Sequence, residues 1–534
     1  DLAPVQASPE ERTPPDETAY ASDAFSPSSF ASIGDPAILR DLRVVPLRIY
    51  PVSYNPVSKT ARVLSRIVVE IDLTSPGERN LLTRSRPLSS AFVDVYRDQV
   101  LNFDRTRYES DERGKYLIIT HDTFYPTMQE FAEWKHLRGR EVEVAKLSVI
   151  GSSASDIKSY IQDAYDTWSV PPDYILLVGD TDYLPTGPSY TDDYYATLAG
   201  SDYLVDVHLG RFSADSVSDC ELLVAKTLGY RRTPYMGDTN WFKSACLVVR
   251  DDYDDSDTTY YNDTWHAYEL MDRAGFAVID TLFRKHGADG DDWVASINAG
   301  RCISNYRGQG VSNYWTPFDI SPSSMSNGYM LPVMMSATCG TGTFSSDGYP
   351  CETWMRAGTV ADPKGSVAFV ATSEIVSHGA HLRSAVNREF YTRLFQTEPG
   401  TVAECLNQGK YRVYSLYGDQ EEYEGWNCQG DPELSVWTDT PRTLDVTHDP
   451  LVPTGVSTFT VTVEHDGSPL RSAAVCVYAE NEAYEAALTG SSGEVSFTLD
   501  LANADTLRVT VTGTNMYPYE GSAVVTPDGP FLIY

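Results

Sequence analysis

The chain has 534 residues, 42% hydrophobic and 12% aromatic, enough apolar surface to fold but too long for one core, since domains divide beyond about 250 to 300 residues. Acidic residues outnumber Lys and Arg 75 to 41, and the resulting net charge of −34 repels phosphate backbones and excludes nucleic acid as a partner. No apolar run approaches the roughly 18 residues of a transmembrane segment, and Asp1–Glu10 lacks the pattern of a signal peptide, so the chain reads as already processed.

In chain order, residues 1–40 are rich in Pro, Ser, Asp and Glu, which predicts a loosely draped arm. The runs LRVVPLRIYPVSYNP and TARVLSRIVVEIDL then alternate apolar and polar residues around Asn55-Pro56-Val57-Ser58, the pattern of an antiparallel hairpin with one buried face. An arginine-rich connection follows from Arg79 to Arg113, with Arg84, Arg86, Arg105 and Arg107, and reads as exposed and cleavable.

From Lys115 the pattern changes to short continuous apolar runs separated by helical periods, as in a parallel sheet covered on both faces. KYLIIT, EVEVAKLS, YILLVGD, VHLGRF, ACLVV, AVIDTLF, CISNYRG, VMMSATC and SVAFVAT are the predicted strands, and GDPELSVWT closes the domain near Thr438. Helices are predicted over Thr123–Leu137, Ser155–Trp168, Ser218–Tyr230, Asp263–Ala274 and Val402–Tyr414, which gives a doubly wound α/β fold. After Pro441, STFTVTVEH, AAVCVYAE, GEVSFTLDL, TLRVTVTG and SAVVT alternate between turn residues and predict a β-sandwich, a module that more often serves as a stalk or spacer than as a catalyst. The predicted divisions are 1–112, 113–439 and 440–534.

Eight cysteines are spread singly with no Cys-x-x-Cys spacing, so neither a disulfide framework nor a zinc knuckle is indicated. Cys246, Cys302 and Cys339 lie in or at the end of apolar runs, where cysteine is more often a small buried hydrophobe than a reagent. Open parallel sheets carry their sites beyond the carboxyl ends of the strands. Two ends stand out there: CISNYRG runs into Gly308-Gln309-Gly310, and VMMSATC presents Cys339 ahead of Gly340-Thr341-Gly342.

The segments YILLVGD, VHLGRFSADS, NYRGQG, SATCGTGTF, PCETWMRAG, GSVAFVAT and GDPELSV, in this order between Lys115 and Thr438, resemble the gingipain family of cysteine peptidases, relatives of clostripain and the caspases. The resemblance implies a caspase-like α/β domain, preceded by a propeptide-like β segment and followed by an immunoglobulin-like sandwich. It places Cys339 at the nucleophile and the N–H groups of Cys339 and Gly310 at the oxyanion hole. Gln309 takes the place of the catalytic histidine. An amide cannot accept a proton or return one to the leaving amine, and loss of one member of such a unit costs on the order of 10⁴ to 10⁶ in rate.

The resemblance also implies an arginine-directed pocket with Asp263 at its base, Asp252 beside the site, and His378 and His381 bordering the pocket. Read from the residues alone, Asp263 equally caps the helix it begins, and Asp252 sits in the acidic run DDYDDSD, which by itself reads as a solvated loop. A structural calcium is implied on the carboxylates of Asp180, Asp202 and Asp206 and the carbonyls of Ala199 and Leu204, against the plainer reading of acidic loops in an acidic protein; no redox or organic cofactor is expected. The leading expectation is therefore a secreted or cell-surface zymogen acting on protein or peptide substrates, with its own propeptide as a partner and its activity disabled at Gln309. A natural pseudopeptidase serving as a binding or scaffold module, or a structural surface protein, are the alternatives.

Overall fold

The computed structural model describes residues 17–71, 77–83, 86–104, 113–188, 191–252, 257–310, 315, 318–345, 348–375, 379–396 and 398–527. In the N-terminal part, six short strands, β1 (Ala31–Ile33), β2 (Ala37–Leu39), β3 (Leu42–Val44), β4 (Leu47–Ile49), β5 (Val52–Asn55) and β6 (Thr60–Val63), pair as three antiparallel ribbons, β1 with β4, β2 with β3 and β5 with β6. The Asn55 side chain accepts the Ser58 N–H at 2.9 Å and closes the expected turn. The hairpin is shorter than its alternation predicts. All four residues of β6 are exposed, so there is no core for IVVEIDL to alternate against, and its described part forms no ladder.

This N-terminal part is packed into the rest of the molecule. Ala37, Leu39, Phe92, Val95 and Tyr96 share one buried cluster with Leu117, Ile119, Ile175 and Leu177. At its centre Arg40, 2% exposed, donates to Pro172 O at 3.2 Å, to Asp173 Oδ1 at 2.7 Å and to the carbonyl of Asp206. Asp41 accepts from Arg86 Nε at 2.9 Å, the Ser89 N–H at 3.0 Å and the Tyr96 hydroxyl at 2.7 Å. The connection expected to be exposed is thus docked from Arg86 to the helix Val93–Gln99, because its apolar residues complete a core that its arginines do not advertise. Arg84, Arg105 and Arg107 lie outside the described residues.

The central sheet has ten strands: β7 (Lys115–Thr120), β8 (Val142–Lys146), β9 (Pro172–Val178), β10 (His208–Phe212), β11 (Ser244–Val249), β12 (Val278–Phe283), β13 (Ile303–Arg307), β14 (Val333–Ala337), β15 (Ala368–Thr372) and β16 (Trp426–Gln429). Their order is β12-β11-β13-β14-β15-β16-β10-β9-β7-β8. Alternate residues of β7 enter different clusters, Leu117 and Ile119 one and Tyr116 and Ile118 the other, so both faces are covered by helices. β16, which no apolar run announced, pairs antiparallel with β15 and parallel with β10. This reversal brings the carboxyl ends of β11–β15 to the same edge of the sheet as the amino ends of β7–β10.

Residues 445–526 form two facing sheets. One contains β17 (Asp445–His448), β19 (Gly455–His465), β20 (Ser468–Pro469) and β23 (Glu494–Leu501). The other contains β18 (Leu451–Pro453), β21 (Ala474–Ala479), β22 (Ala483–Leu488), β24 (Thr506–Thr512) and β25 (Tyr519–Thr526). Their inward residues, among them Val461, Val463, Val475, Leu499 and Val509, make a separate core. The sandwich leans on the α/β domain through His136 stacked on Tyr484 at 4.0 Å and the pair Arg232–Glu520 at 2.7 Å. No helix among the described residues is long and apolar enough to cross a membrane.

Candidate active site

β13 and β14 run parallel with Arg307 opposite Ala337. Beyond the ladder, the Thr338 hydroxyl donates to Gly308 O at 2.7 Å. Two close approaches explain the glycines around Gln309. Gly308 has φ +154, and a Cβ there would lie 2.6 Å from Arg250 Cβ; at Gly310 it would lie 2.7 Å from Thr338 Oγ1 and 3.1 Å from Cys339 O. Gln309 and Cys339 are therefore carried side by side at adjoining strand ends. The turn after Cys339 is pinned by the Gly340 N–H donating to Glu374 O at 3.1 Å and the Gly342 N–H to Thr372 O at 3.0 Å. The Tyr306 hydroxyl holds Gln309 O at 3.0 Å.

Cys339 is half-buried, whereas the other seven cysteines are buried and all eight are free thiols. Its partner is a residue that sequence reasoning missed. Arg383, on the helix Ala380–Leu394, donates from Nη1 to Cys339 Sγ at 2.8 Å, from Nη2 to Glu374 O at 3.2 Å and from Nε to Glu422 Oε1 at 3.3 Å. Trp426 Nε1 donates to the same Glu422 oxygen at 2.9 Å. Burial opposes the Arg383 charge, yet Glu422 and then Cys339 outweigh it and raise its pKa. Burial pushes the Glu422 carboxyl up to about 7 against the pull of Arg383. Arg383 follows Cys339 by 44 residues, on a helix that is not among those predicted, and no spacing rule links the two.

The remaining expected residues are dispersed. Asp263 does not begin a helix: its helix runs Asp257–Arg273, so it has no orphan N–H groups to cap. It is 1% exposed, accepts from Arg307 Nε at 2.7 Å and from the Ser384 hydroxyl at 2.6 Å, and has Arg388 at 3.5 Å. The guanidinium it binds is the chain's own. Asp252 is partly exposed between Arg250 at 3.7 Å and Arg284 at 3.5 Å. His381 meets Tyr417 edge-on, and His378 lies outside the described residues.

The five residues expected around calcium do not form an oxygen cage in this arrangement. Asp180 pairs with Arg356 at 3.1 Å. Asp202 accepts the N–H groups of Ile38 at 2.8 Å and Leu204 at 3.0 Å, and Asp206 those of Arg40 at 3.1 Å, Leu198 at 2.6 Å and Ala199 at 2.7 Å. The N–H groups of Ala199 and Leu204 thus already occupy carboxylate oxygens of Asp206 and Asp202. Among the described residues no group of three or more His, Cys, Asp or Glu is arranged to hold a metal.

A thiol and an amide at neighbouring strand ends, in a sheet whose direction reverses between β15 and the interior strand β16, define a cysteine-peptidase-like α/β site. The profile of peptidase family C25 matches residues 109–437, and that of the C25 propeptide matches residues 15–110. The chain belongs to peptidase family C25 and carries a C25 propeptide ahead of the peptidase domain. It is 26% identical over 472 residues to Gingipain R2 of Porphyromonas gingivalis (strain ATCC BAA-308 / W83), covering 84% of this chain and 64% of that relative. It is also 26% identical over 518 residues to Gingipain R1 of Porphyromonas gingivalis, covering 93% of this chain and 51% of that relative. The chain thus spans less than two thirds of these relatives' lengths. Among solved structures, the complex of Porphyromonas gingivalis RgpB pro- and mature domains matches with TM-score 0.69 and 21% identity, over 77% of this chain and 100% of that one. The Arg specific cysteine proteinase gingipain R matches with TM-score 0.70 and 22% identity, over 77% and 98%. At these identities the likeness establishes a gingipain-like α/β fold.

Proposed function

We propose that this chain is the zymogen form of a secreted cysteine endopeptidase in which Cys339 is the nucleophile and position 309 has lost its base. The observation that carries the reading is the juxtaposition of Gly308-Gln309-Gly310 with Cys339 at two paired strand ends. In this reading the sulfur attacks the peptide carbonyl, and the N–H groups of Cys339 and Gly310 would hold the oxyanion. Gln309 leaves the leaving amine without a proton donor, so turnover is lower by on the order of 10⁴ to 10⁶ than with histidine. Cleavage after arginine is proposed from the Arg specific relative; as Asp263 is committed to Arg307, the substrate guanidinium requires another acceptor. We read the terminal sandwich as an immunoglobulin-like spacer.

That internal commitment of Asp263 also favours a second reading, a pseudopeptidase that binds surface partners without cutting them. One experiment separates the two. Gln309→His is assayed on an arginyl peptide with reductant, while mass spectrometry follows self-cleavage between residues 104 and 113. The peptidase reading expects activity to rise by several orders of magnitude and to vanish when Cys339→Ala is added. Absence of cleavage in a folded Gln309→His variant would leave the binding module.

A further inference from the structure

We propose that Arg383 is the positioning residue that keeps the sulfur of Cys339 as a thiolate, so that the nucleophile stays charged although position 309 carries an amide. The proposal rests on the reading of Cys339 as nucleophile, but it concerns the charge of the sulfur and not turnover.

Arg383 is 4% exposed, and a guanidinium keeps its charge even when buried. Its three directed contacts are the carbonyl of Glu374, the carboxyl of Glu422 and the sulfur. The carbonyl carries no net charge. Glu422, with burial driving its carboxyl up to about 7, is partly protonated near neutrality and only partly balances Arg383. The Glu374 carboxyl also feels the guanidinium, which pulls it down against burial, but of these groups the sulfur is the one hydrogen-bonded to the guanidinium at 2.8 Å while half-buried, and its proton is released to solvent. Arg383 also fixes where the sulfur sits, because Glu374 O, which accepts from its Nη2, accepts the Gly340 N–H as well. The cysteine and the arginine are thereby held against one carbonyl. The thiolate is the reactive form of cysteine, and a cationic neighbour favours it. This arrangement separates two duties that a histidine combines: Arg383 charges the sulfur, and nothing at position 309 returns a proton to the leaving group.

The test is alkylation of the full chain with iodoacetamide under native conditions, read by mass spectrometry at Cys339; the burial of the other seven cysteines confines the reaction to this one. At neutral pH, Arg383→Gln slows the reaction at least tenfold and Arg383→Lys restores part of it. At alkaline pH, where any thiol is ionised, the variants and the parent converge. A purely structural role for Arg383 would instead shift the rate at both pH values. Equal rates at neutral pH, or a difference that persists at alkaline pH, overturn the proposal. Should both variants fail to fold, the unmodified chain decides. At high salt, which screens its net charge, the ratio of iodoacetate to iodoacetamide rates at Cys339 exceeds that of a small free thiol if a guanidinium faces the sulfur, and a ratio at or below the free-thiol value overturns the assignment. Neither measurement needs turnover, so a silent Gln309→His variant and an uncharged Cys339 are separately visible.

Discussion

Arg40 and Arg383 are both buried at the same edge of one sheet, and they do different things. Arg40 spends its Nη groups on fully enclosed acceptors, the carbonyls of Pro172 and Asp206 and the carboxylate of Asp173. Arg383 spends one on a half-exposed sulfur that can be charged or neutral. The first arrangement locks the propeptide onto the peptidase domain, and the second sets the state of a reagent. A buried charge is thus informative through what answers it: enclosed acceptors make a joint, a nucleophile that solvent can reach makes a site.

The comparison breaks most visibly at Arg40. Arg40→Ala takes from the buried Asp173 its nearest cation and from the Asp206 carbonyl a donor, and removal of one partner from a buried ion pair costs about 3–5 kcal/mol. Denaturant unfolding should show that loss, and limited proteolysis should show residues 17–104 becoming cleavable. If Arg40→Ala unfolds no more easily than the parent, the joint is not there.

An intermediate effect concerns pH. His208 of the peptidase domain donates from Nε2 to Ala91 O at 3.1 Å, accepts from Asn407 at Nδ1 at 3.0 Å, and stacks on Phe92 at 4.3 Å, with Ala91 and Phe92 belonging to the propeptide. Burial holds its pKa down at about 3, and Arg40, Arg140 and Arg393 add to the depression. The folded state therefore keeps His208 neutral while the unfolded chain protonates it near 6.5. Its contribution is complete above pH 6.5 and is lost as pH falls towards 3, by at most about 1.4 kcal/mol per unit. The hydrogen-exchange protection factors of residues 86–100, taken against the intrinsic rate at each pH, should fall from pH 7 to pH 5, and His208→Gln should flatten that dependence.

The smallest effect sharpens the point from the other side. Arg508 pairs with Glu133 at 2.6 Å between the sandwich and the α/β domain, but both side chains are half exposed. Arg508→Ala should change stability by less than about 1 kcal/mol in thermal unfolding, since water and salt screen such pairs.

The sequence made the sheet legible where strands are buried on both faces: Pro172–Val178 is buried throughout, and its stretch Tyr174–Val178 reads as one apolar run. It hid β16, whose Asn427 and Gln429 are polar although buried, and whose four residues are too few for a periodic signal. GDPELSV, read only as the close of the domain, serves a charge network, with Asp431 and Glu433 both 2.7 Å from Lys135. The juxtaposition of Gln309 and Cys339 was legible because glycine punctuates strand ends. Arg383 was not, because its partner is reached only through the packing of the helix Ala380–Leu394 across the sheet edge. Asp263 was misplaced because an acidic run conceals where its helix begins.

The account depends most directly on residues 309 and 339 being neighbours, and a sulfur placed at 309 tests it. Paired residues on adjacent strands lie about 4.8 Å apart, within the span a disulfide bridges. Mild oxidation of Gln309→Cys should yield a crosslinked peptide pair, lighter by two hydrogens and no longer alkylated at Cys339. Free thiols at both positions in the oxidised, folded variant would contradict it.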